Sequence, residues 1–316
     1  MKRILSIFLL SLAGAAYAQP YPSKPIRMVV AFPPAGPVDI IARLIAPKIS
    51  EALGQPVVIE NRAGAGGNVP TAQVAKAPPD GYTVLAHSSA YAVNPSLSPN
   101  AGYDPEKDFV PVAVVASQPN LIIVHPDFRA KGLLELLQMA RTEKLAYASP
   151  SSGTTPHLTA ENLFKVRAKV DITHVPFKGG GPATAAVLGG QPPIGSLAAS
   201  GPMANIKAGK LRAIAVSSSR RLASLPDVPT LGELGFAGME DYTWIGLFLP
   251  AGTPAEIVQK LNDVVLRAAQ SPDVRERLEG LAFEVTAAPL GETAAYVKSE
   301  LVKWAKVVRD TGAKLD

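Results

Sequence analysis

The chain contains no cysteine. That removes thiol nucleophiles, cysteine-ligated zinc, iron–sulfur clusters and disulfides, so the core alone stabilises the fold. It also removes a lipobox, and with it a lipid anchor. Histidine is scarce: His87, His125, His157 and His174 are the only four. H-E-x-x-H is absent. His157 and Glu161 share a helix face at i,i+4, but two ligands do not make a zinc site, and no metal is expected. No serine sits in a G-x-S-x-G elbow; Ser149-x-Ser151-x-Gly153 comes nearest. No pair of acids stands out for glycoside hydrolysis. Gly64-Ala65-Gly66-Gly67-Asn68-Val69 fails as a dinucleotide loop, because Val69 stands where the last glycine belongs. No G-x-x-x-x-G-K-[ST] exists either, so no nucleotide and no other cofactor is expected. Lysine and arginine do not cluster, which gives no footprint for nucleic acid.

What is present is apolar and evenly spread. The 316 residues are 47% hydrophobic and 18% charged, with 30 Pro and 26 Gly dispersed along the chain. Disordered, collagen-like and coiled-coil classes are excluded, and the length suits roughly two domains of ~150 residues. Lys2 and Arg3 precede the apolar run 4–13, and Ala16-Tyr17-Ala18 reads as an A-x-A cleavage site. Residues 1–18 are therefore read as a secretory signal peptide cleaved after Ala18, too short to span a bilayer. Losing two basic residues takes the formal charge from +5 to +3. A soluble, exported, periplasmic protein is expected, with a monomer as the simplest state.

Strand and helix patterns alternate. Residues 26–31, 57–60 and 82–86 read as strands, with helices at 38–53 and 69–77, and Gly54 suits the end of the first helix. This βαβαβ order builds a parallel sheet with helices on both faces. Further strands are expected at 110–115, 121–124, 145–149, 171–177, 193–197, 212–217, 242–249 and 282–287. Helices are expected at 133–141, 156–166, 182–188, 254–270, 272–281 and 291–310. No flexible linker separates two α/β units, so two lobes crossed more than once by the chain are expected. Sheets of this kind bind ligands outside the carboxyl ends of their strands. The loops to inspect are thus 32–37, 87–94, 149–155, 178–181 and 196–202.

Ser149-Pro150-Ser151-Ser152-Gly153-Thr154-Thr155-Pro156-His157 is the most informative loop. Thr155 suits an N-cap and Pro156 the N1 position. Hydroxyls and backbone N–H groups would meet at the positive end of a helix, either as an anion site or as ordinary capping. Phe32-Pro33-Pro34-Ala35-Gly36-Pro37 is rigid, and Ala35 and Gly36 let a ligand approach the backbone. Asp39 is either a cleft residue or, through the helix dipole, a capping one. Lys178, before three glycines, either faces an anion or is simply solvated. Trp244 and Trp304 read as packing residues.

The chain also carries a string of motifs: Tyr21-Pro-Ser-Lys-Pro-Ile-Arg27, Phe32-Pro-Pro-Ala-Gly-Pro-Val-Asp39, Glu60-Asn-Arg-Ala-Gly-Ala-Gly-Gly67 and Pro79-Asp-Gly-Tyr-Thr83. Tyr103-Asp-Pro-Glu-Lys-Asp-Phe109, His174-Val-Pro-Phe-Lys-Gly179, Ile206-Lys-Ala-Gly-Lys-Leu-Arg212, Pro226-Asp-Val-Pro-Thr230 and Leu249-Pro-Ala-Gly-Thr-Pro254 follow. In this order they resemble the substrate-binding proteins of tripartite tricarboxylate transporters, the Bordetella uptake gene family, over residues 24–310. The resemblance implies an α/β, two-lobed periplasmic binding protein fold (Venus flytrap), each lobe a mostly parallel sheet flanked by helices. One lobe would hold residues 19–124 plus 243–316, the other 125–242. It implies a non-enzymatic receptor that closes on a small organic carboxylate, a di- or tricarboxylate or an aromatic acid. Separate membrane transporter subunits would receive it.

The cleft residues the resemblance implies are Phe32, Pro33, Ala35, Gly36 and Asp39; Ser88 and Ser89; Ser151, Ser152, Gly153, Thr154 and Thr155; and Ser196, Ala198 and Ala199; His87, His157 and Lys178 join them as candidates from their places in the loops after strands. The chain departs from the family at Ala35, where a glycine is usual, and over 186–195, which lacks the usual acids. The same fold could instead serve a carboxylate-sensing system. An exported hydrolase is the remote alternative, since no nucleophile–base set assembles.

Overall fold

The computed structural model describes residues 21–98 and 100–314; the expected signal peptide lies outside them. The chain opens as β1 (Ile26–Val30), α1 (Pro37–Leu53), β2 (Val57–Asn61), a 3-10 turn at Ala65–Gly67, α2 (Asn68–Val74), β3 (Thr83–Ser88) and α3 (Ala90–Leu97). It continues through β4 (Phe109–Val124), α4 (Leu133–Met139), β5 (Leu145–Ser149), α5 (Thr155–Glu161), a π-helical turn at Asn162–Arg167, β6 (Ile172–Pro176), α6 (Gly180–Leu188), β7 (Ile194–Ala198), α7 (Met203–Lys207) and β8 (Arg212–Val216). It ends with β9 (Tyr242–Pro250), α8 (Ala255–Gln270), α9 (Pro272–Gly280), β10 (Glu284–Val285) and α10 (Leu290–Thr311).

The strands run in the order β2-β1-β3-β9-β4-β7-β5-β6, with β8 and β10 also paired to β4. β4 belongs to both halves. Its residues 109–119 pair with β9, and residues 120–124 pair with β7 and β8. Two lobes thus share one 16-residue strand. From the sequence, Ser117-Gln118-Pro119-Asn120 read as a break between two strands. Tertiary pairing overrides it: Pro119 stays in the strand opposite Tyr242, and its carbonyl accepts the Ala199 N–H at 3.0 Å. Proline lacks only the donor half of a ladder pair.

Among pairs of named strands, parallel pairing is confined to β2-β1-β3 and β6-β5-β7. β9 pairs antiparallel to β3 and β4, and β4 antiparallel to β7, β8 and β10. Each sheet is therefore mixed, which corrects the mostly parallel sheets expected. The connecting strands pass from one lobe to the other and back, so they must run in opposite directions.

Each sheet is covered on both faces. In β1, Ile26, Met28 and Val30 pack with Ile41 and Ile45 of α1 and Leu261 and Val265 of α8. Val29 and Ala31 face the other way, toward Tyr91 of α3 and Trp304 of α10. This period of two is what a strand buried on both sides requires. The second lobe repeats the plan, with Leu136 and Phe164 on one face and Ala183 and Val187 on the other. α1 ends as its sequence suggests: Gly54 takes φ +67° and its N–H bonds Ser50 O.

Candidate cleft between the lobes

Three helices begin around one small cavity. Its lining includes Gly36, Pro37 and Val38 at the start of α1, Thr154, Thr155 and Pro156 at the start of α5, and Gly179 to Pro182 at the start of α6. Each helix has been fed by a strand, as α/β connections dictate. None of the three cap residues, Gly36, Thr154 and Gly179, makes a side-chain cap bond. The cap at α5 lies one residue earlier than expected, at Thr154, and its hydroxyl donates backward to Ser151 O at 2.9 Å. Phe32, Pro33, Ser88, Ala198 and Thr243 complete most of the wall, and among the described residues no charged side chain lines it. Positive helix ends without side-chain caps favour an anion.

The cavity measures about 50 Å3, space for a few waters. The lobes meet at its mouth: a Cβ on Gly179 would stand 3.6 Å from Pro33 Cγ. Beside it opens a second cavity of about 340 Å3, which shares Phe32, Pro33, Pro150 and Gly179. Ala63 to Gly67, Ser151, Phe177 and Lys178 also line it. Lys178 is exposed and has no ion-pair partner among the described residues. The glycine loop dismissed as a dinucleotide site thus borders the cleft. Gly67 sits at φ +98°, where an added Cβ would come 2.3 Å from His87 Nε2.

The expected residues divide into two groups. Phe32, Pro33, Gly36, Ser88, Thr154, Thr155 and Ala198 come together around the smaller cavity, and Ser151 and Lys178 around the larger. Ala35, Asp39, His87, Ser89, Ser152, Gly153, His157, Ser196 and Ala199 line neither. Several of these support the wall instead. Ala35 takes φ +64°, and its N–H bonds Asp39 Oδ2 at 2.9 Å. Asp39 is buried; Arg43 Nε lies 2.9 Å from Oδ2 and Asn61 Nδ2 2.9 Å from Oδ1. Burial pushes its carboxyl up, but Arg43, the Ala35 N–H and Asn61 together hold it below the usual carboxylate range. Its charge is spent on fixing the 32–37 loop.

His87 stands edge-on to Phe32 at 5.3 Å and its Nδ1–H donates to Ser88 O at 2.9 Å. Burial pushes the ring's pKa down to about 4, so it is neutral near pH 7. His157 accepts the Gly153 N–H through Nδ1 and stacks on His174 at 4.0 Å. Ser196 donates to Pro156 O at 2.6 Å, pinning the first turn of α5.

Below the cavity, hydroxyls join the lobes. Ser89 Oγ lies 3.0 Å from Thr155 Oγ1, which lies 2.7 Å from Thr243 Oγ1. Thr243 donates to Asn120 Oδ1 at 2.8 Å, and Asn120 Nδ2 to Thr159 at 3.0 Å. Thr159 reaches Asp241, which pairs with Lys303 of α10 at 3.0 Å. Sequence reasoning missed Thr243 and Asn120. The available signal was a hydroxyl and an amide inside otherwise apolar strands.

The model of the tripartite tricarboxylate transporter family receptor matches residues 41–313. A protein of the tcbD-tcbE intergenic region of Pseudomonas sp. (strain P51) is 40% identical over 91% of this chain and 86% of its own. BugT of Bordetella pertussis is 37% identical over 100% of this chain and 99% of its own. Among solved structures, the periplasmic binding protein BugD superposes with a TM-score of 0.88 at 34% identity, covering 94% of this chain and 100% of its own. Rpa4515 of R. palustris, solved with adipate, gives 0.89 at 33% identity with the same coverage. MatC of Rhodopseudomonas palustris, solved with malate, gives 0.86 at 36% identity over 91% of this chain and 100% of its own. Sequence and fold agree along nearly the whole described length, and the chain belongs to the tripartite tricarboxylate transporter receptor family.

Proposed function

We propose that this chain is a periplasmic receptor that captures a small organic carboxylate by closing its lobes, then delivers it to the membrane subunits of a tripartite tricarboxylate-type transporter. The observation that carries the reading is the meeting of three helix starts on one cavity that no charged side chain of the described residues lines. One carboxylate anchors beside Thr154, Thr155 and Gly36, held by backbone amides, helix dipoles and the Ser88 hydroxyl rather than by a cation. The adipate and malate of the two related structures belong to the same chemical class.

The switch of β4 partners at Pro119 and Asn120 supports a division into residues 19–119 plus 242–316 and residues 120–241. That moves the first crossing upstream from Val124. A cavity of about 50 Å3 admits such an acid only when the lobes part, so contacts made across the cleft favour the closed form that a membrane partner reads. The leader ends at Ala18, and the mature chain acts as a monomer.

Thermal unfolding against citrate, malate, adipate, glutamate, benzoate and nicotinate tests the reading. Ligand at ~100 times its dissociation constant adds about 2.7 kcal/mol, or a few degrees for a chain of this size. A shift with one acid and none with its amide is the expected result. No shift with any acid, once co-purified ligand has been removed, sinks it.

A further inference from the structure

Two buried polar atoms, one on β4 and one just past β7, have no hydrogen-bond partner among the described residues: Gln118 Nε2 and Ser200 Oγ. Gln118 is 0% exposed and Ser200 7%. The rest of the amide is satisfied, since Gln118 Oε1 accepts the Ser200 backbone N–H at 2.6 Å. An N–H must meet the carbonyl oxygen, so this bond fixes the amide's orientation. Nε2 is left with two protons and no acceptor. Folded proteins rarely bury a donor in that state without a water or a ligand to receive it.

The strand register places both residues on the ligand side. Gln118 pairs with Thr243 across β4 and β9, and cross-strand partners share a face. Asn120, two residues on, shares that face and pairs with Ala198. The bond from Ala199 N–H to Pro119 O carries the pairing one step further, which sets Ser200 opposite Gln118. Thr243 and Ala198 both line the smaller cavity. The two orphaned groups therefore stand one row on, on the sheet face that Thr243 and Ala198 present to the cavity, behind its present lining.

We infer that Gln118 Nε2 and Ser200 Oγ together receive an uncharged oxygen, a hydroxyl or carbonyl, on the captured acid. This deepens the carboxylate-receptor reading and rests on it. The amide donates one N–H to the oxygen. The serine hydroxyl donates to a carbonyl or accepts from a hydroxyl, so either group is fully paired. A second carboxylate would be buried here without a cation; Lys178 serves the neighbouring cavity instead. Sites built to bond an oxygen reject analogues that lack it, because their own polar groups stay unpaired.

Titration calorimetry of the mature chain with matched acids decides the matter: malate against succinate, 2-oxoglutarate against glutarate, and 4-hydroxybenzoate against benzoate. Wild type is expected to bind the oxygen-bearing member of one pair at least tenfold tighter. Gln118→Leu and Ser200→Ala should erase that preference by weakening binding of the oxygen-bearing member at least tenfold. Ser200→Ala removes only an unpartnered hydroxyl, so its unfolding midpoint should hold, and it decides the test alone if Gln118→Leu does not fold. A preference that the variants keep, equal affinities within every pair, or no binding of any oxygen-bearing acid overturns the inference. If another acid of the earlier panel still binds, the receptor reading survives that result; if none binds, both fall.

Discussion

Asp39 and His87 were both expected in the cleft, and both instead hold its wall from behind. Asp39 ties the Ala35 N–H, Arg43 and Asn61 to one buried carboxylate. Because its folded pKa is depressed, its contribution to stability is full above the unfolded carboxylate range near pH 4 and is lost as pH falls below it. Asp39→Asn should cost about 2 kcal/mol at pH 7, as expected for hydrogen bonds to a charged group, and should flatten the acid limb of urea-unfolding stability. His87 acts in a different window. The unfolded ring takes a proton near pH 6.5 and the folded one only at about 4. Stability therefore falls as pH drops from 6.5 toward 4, by up to about 3 kcal/mol. His87→Asn keeps a donor for Ser88 O and should remove that slope; a variant with the wild-type slope would assign it elsewhere. Ala35 was legible as a departure from the family, but its left-handed φ of +64° was not. The reason lies in a bond to a residue four positions on.

At the scale of elements, α1 and the apolar strands were legible because periodicity and a terminal glycine agree with the packing. α3 was missed. Its sequence, Ala-Tyr-Ala-Val-Asn-Pro-Ser-Leu, carries Asn94 and Pro95, poor helix formers, yet Tyr91, Ala92 and Val93 are fully buried against the first lobe's sheet. Tertiary packing supplied what propensity withheld. β4 was read as two strands because three polar residues and a proline, Ser117-Gln118-Pro119-Asn120, interrupt it. Those residues are polar because they cross from lobe to lobe beneath the cavity. The loops 32–37 and 151–155 were legible as site candidates because each follows a strand. Thr243 was not, because its partners lie 88 and 123 residues away. Thr243→Val keeps the shape but leaves Asn120 Oδ1 and Thr155 Oγ1 without that partner. It should cost about 1–3 kcal/mol in chemical unfolding and weaken capture of any bound acid by a measurable factor.

For the whole molecule, Pro33 of one lobe and Gly179 of the other line the same small cavity, as lobes drawn together do. If capture requires them to part, the ligand-free chain should scatter X-rays with a larger radius of gyration than the loaded one. Identical curves with and without a bound acid would mean that entry follows another route. The walls add a separate consequence. Six prolines, Pro33, Pro34, Pro37, Pro150, Pro156 and Pro182, line the smaller cavity. Each fixes its own φ and restricts the residue before it, so the walls are stiff before anything arrives. Capture then orders few segments and buries little beyond the ligand and the meeting edges. Its heat-capacity change should accordingly be small, far from the large negative value that accompanies a chain segment folding onto its ligand. Calorimetry at several temperatures would report that stiffness directly, as a binding enthalpy nearly flat with temperature.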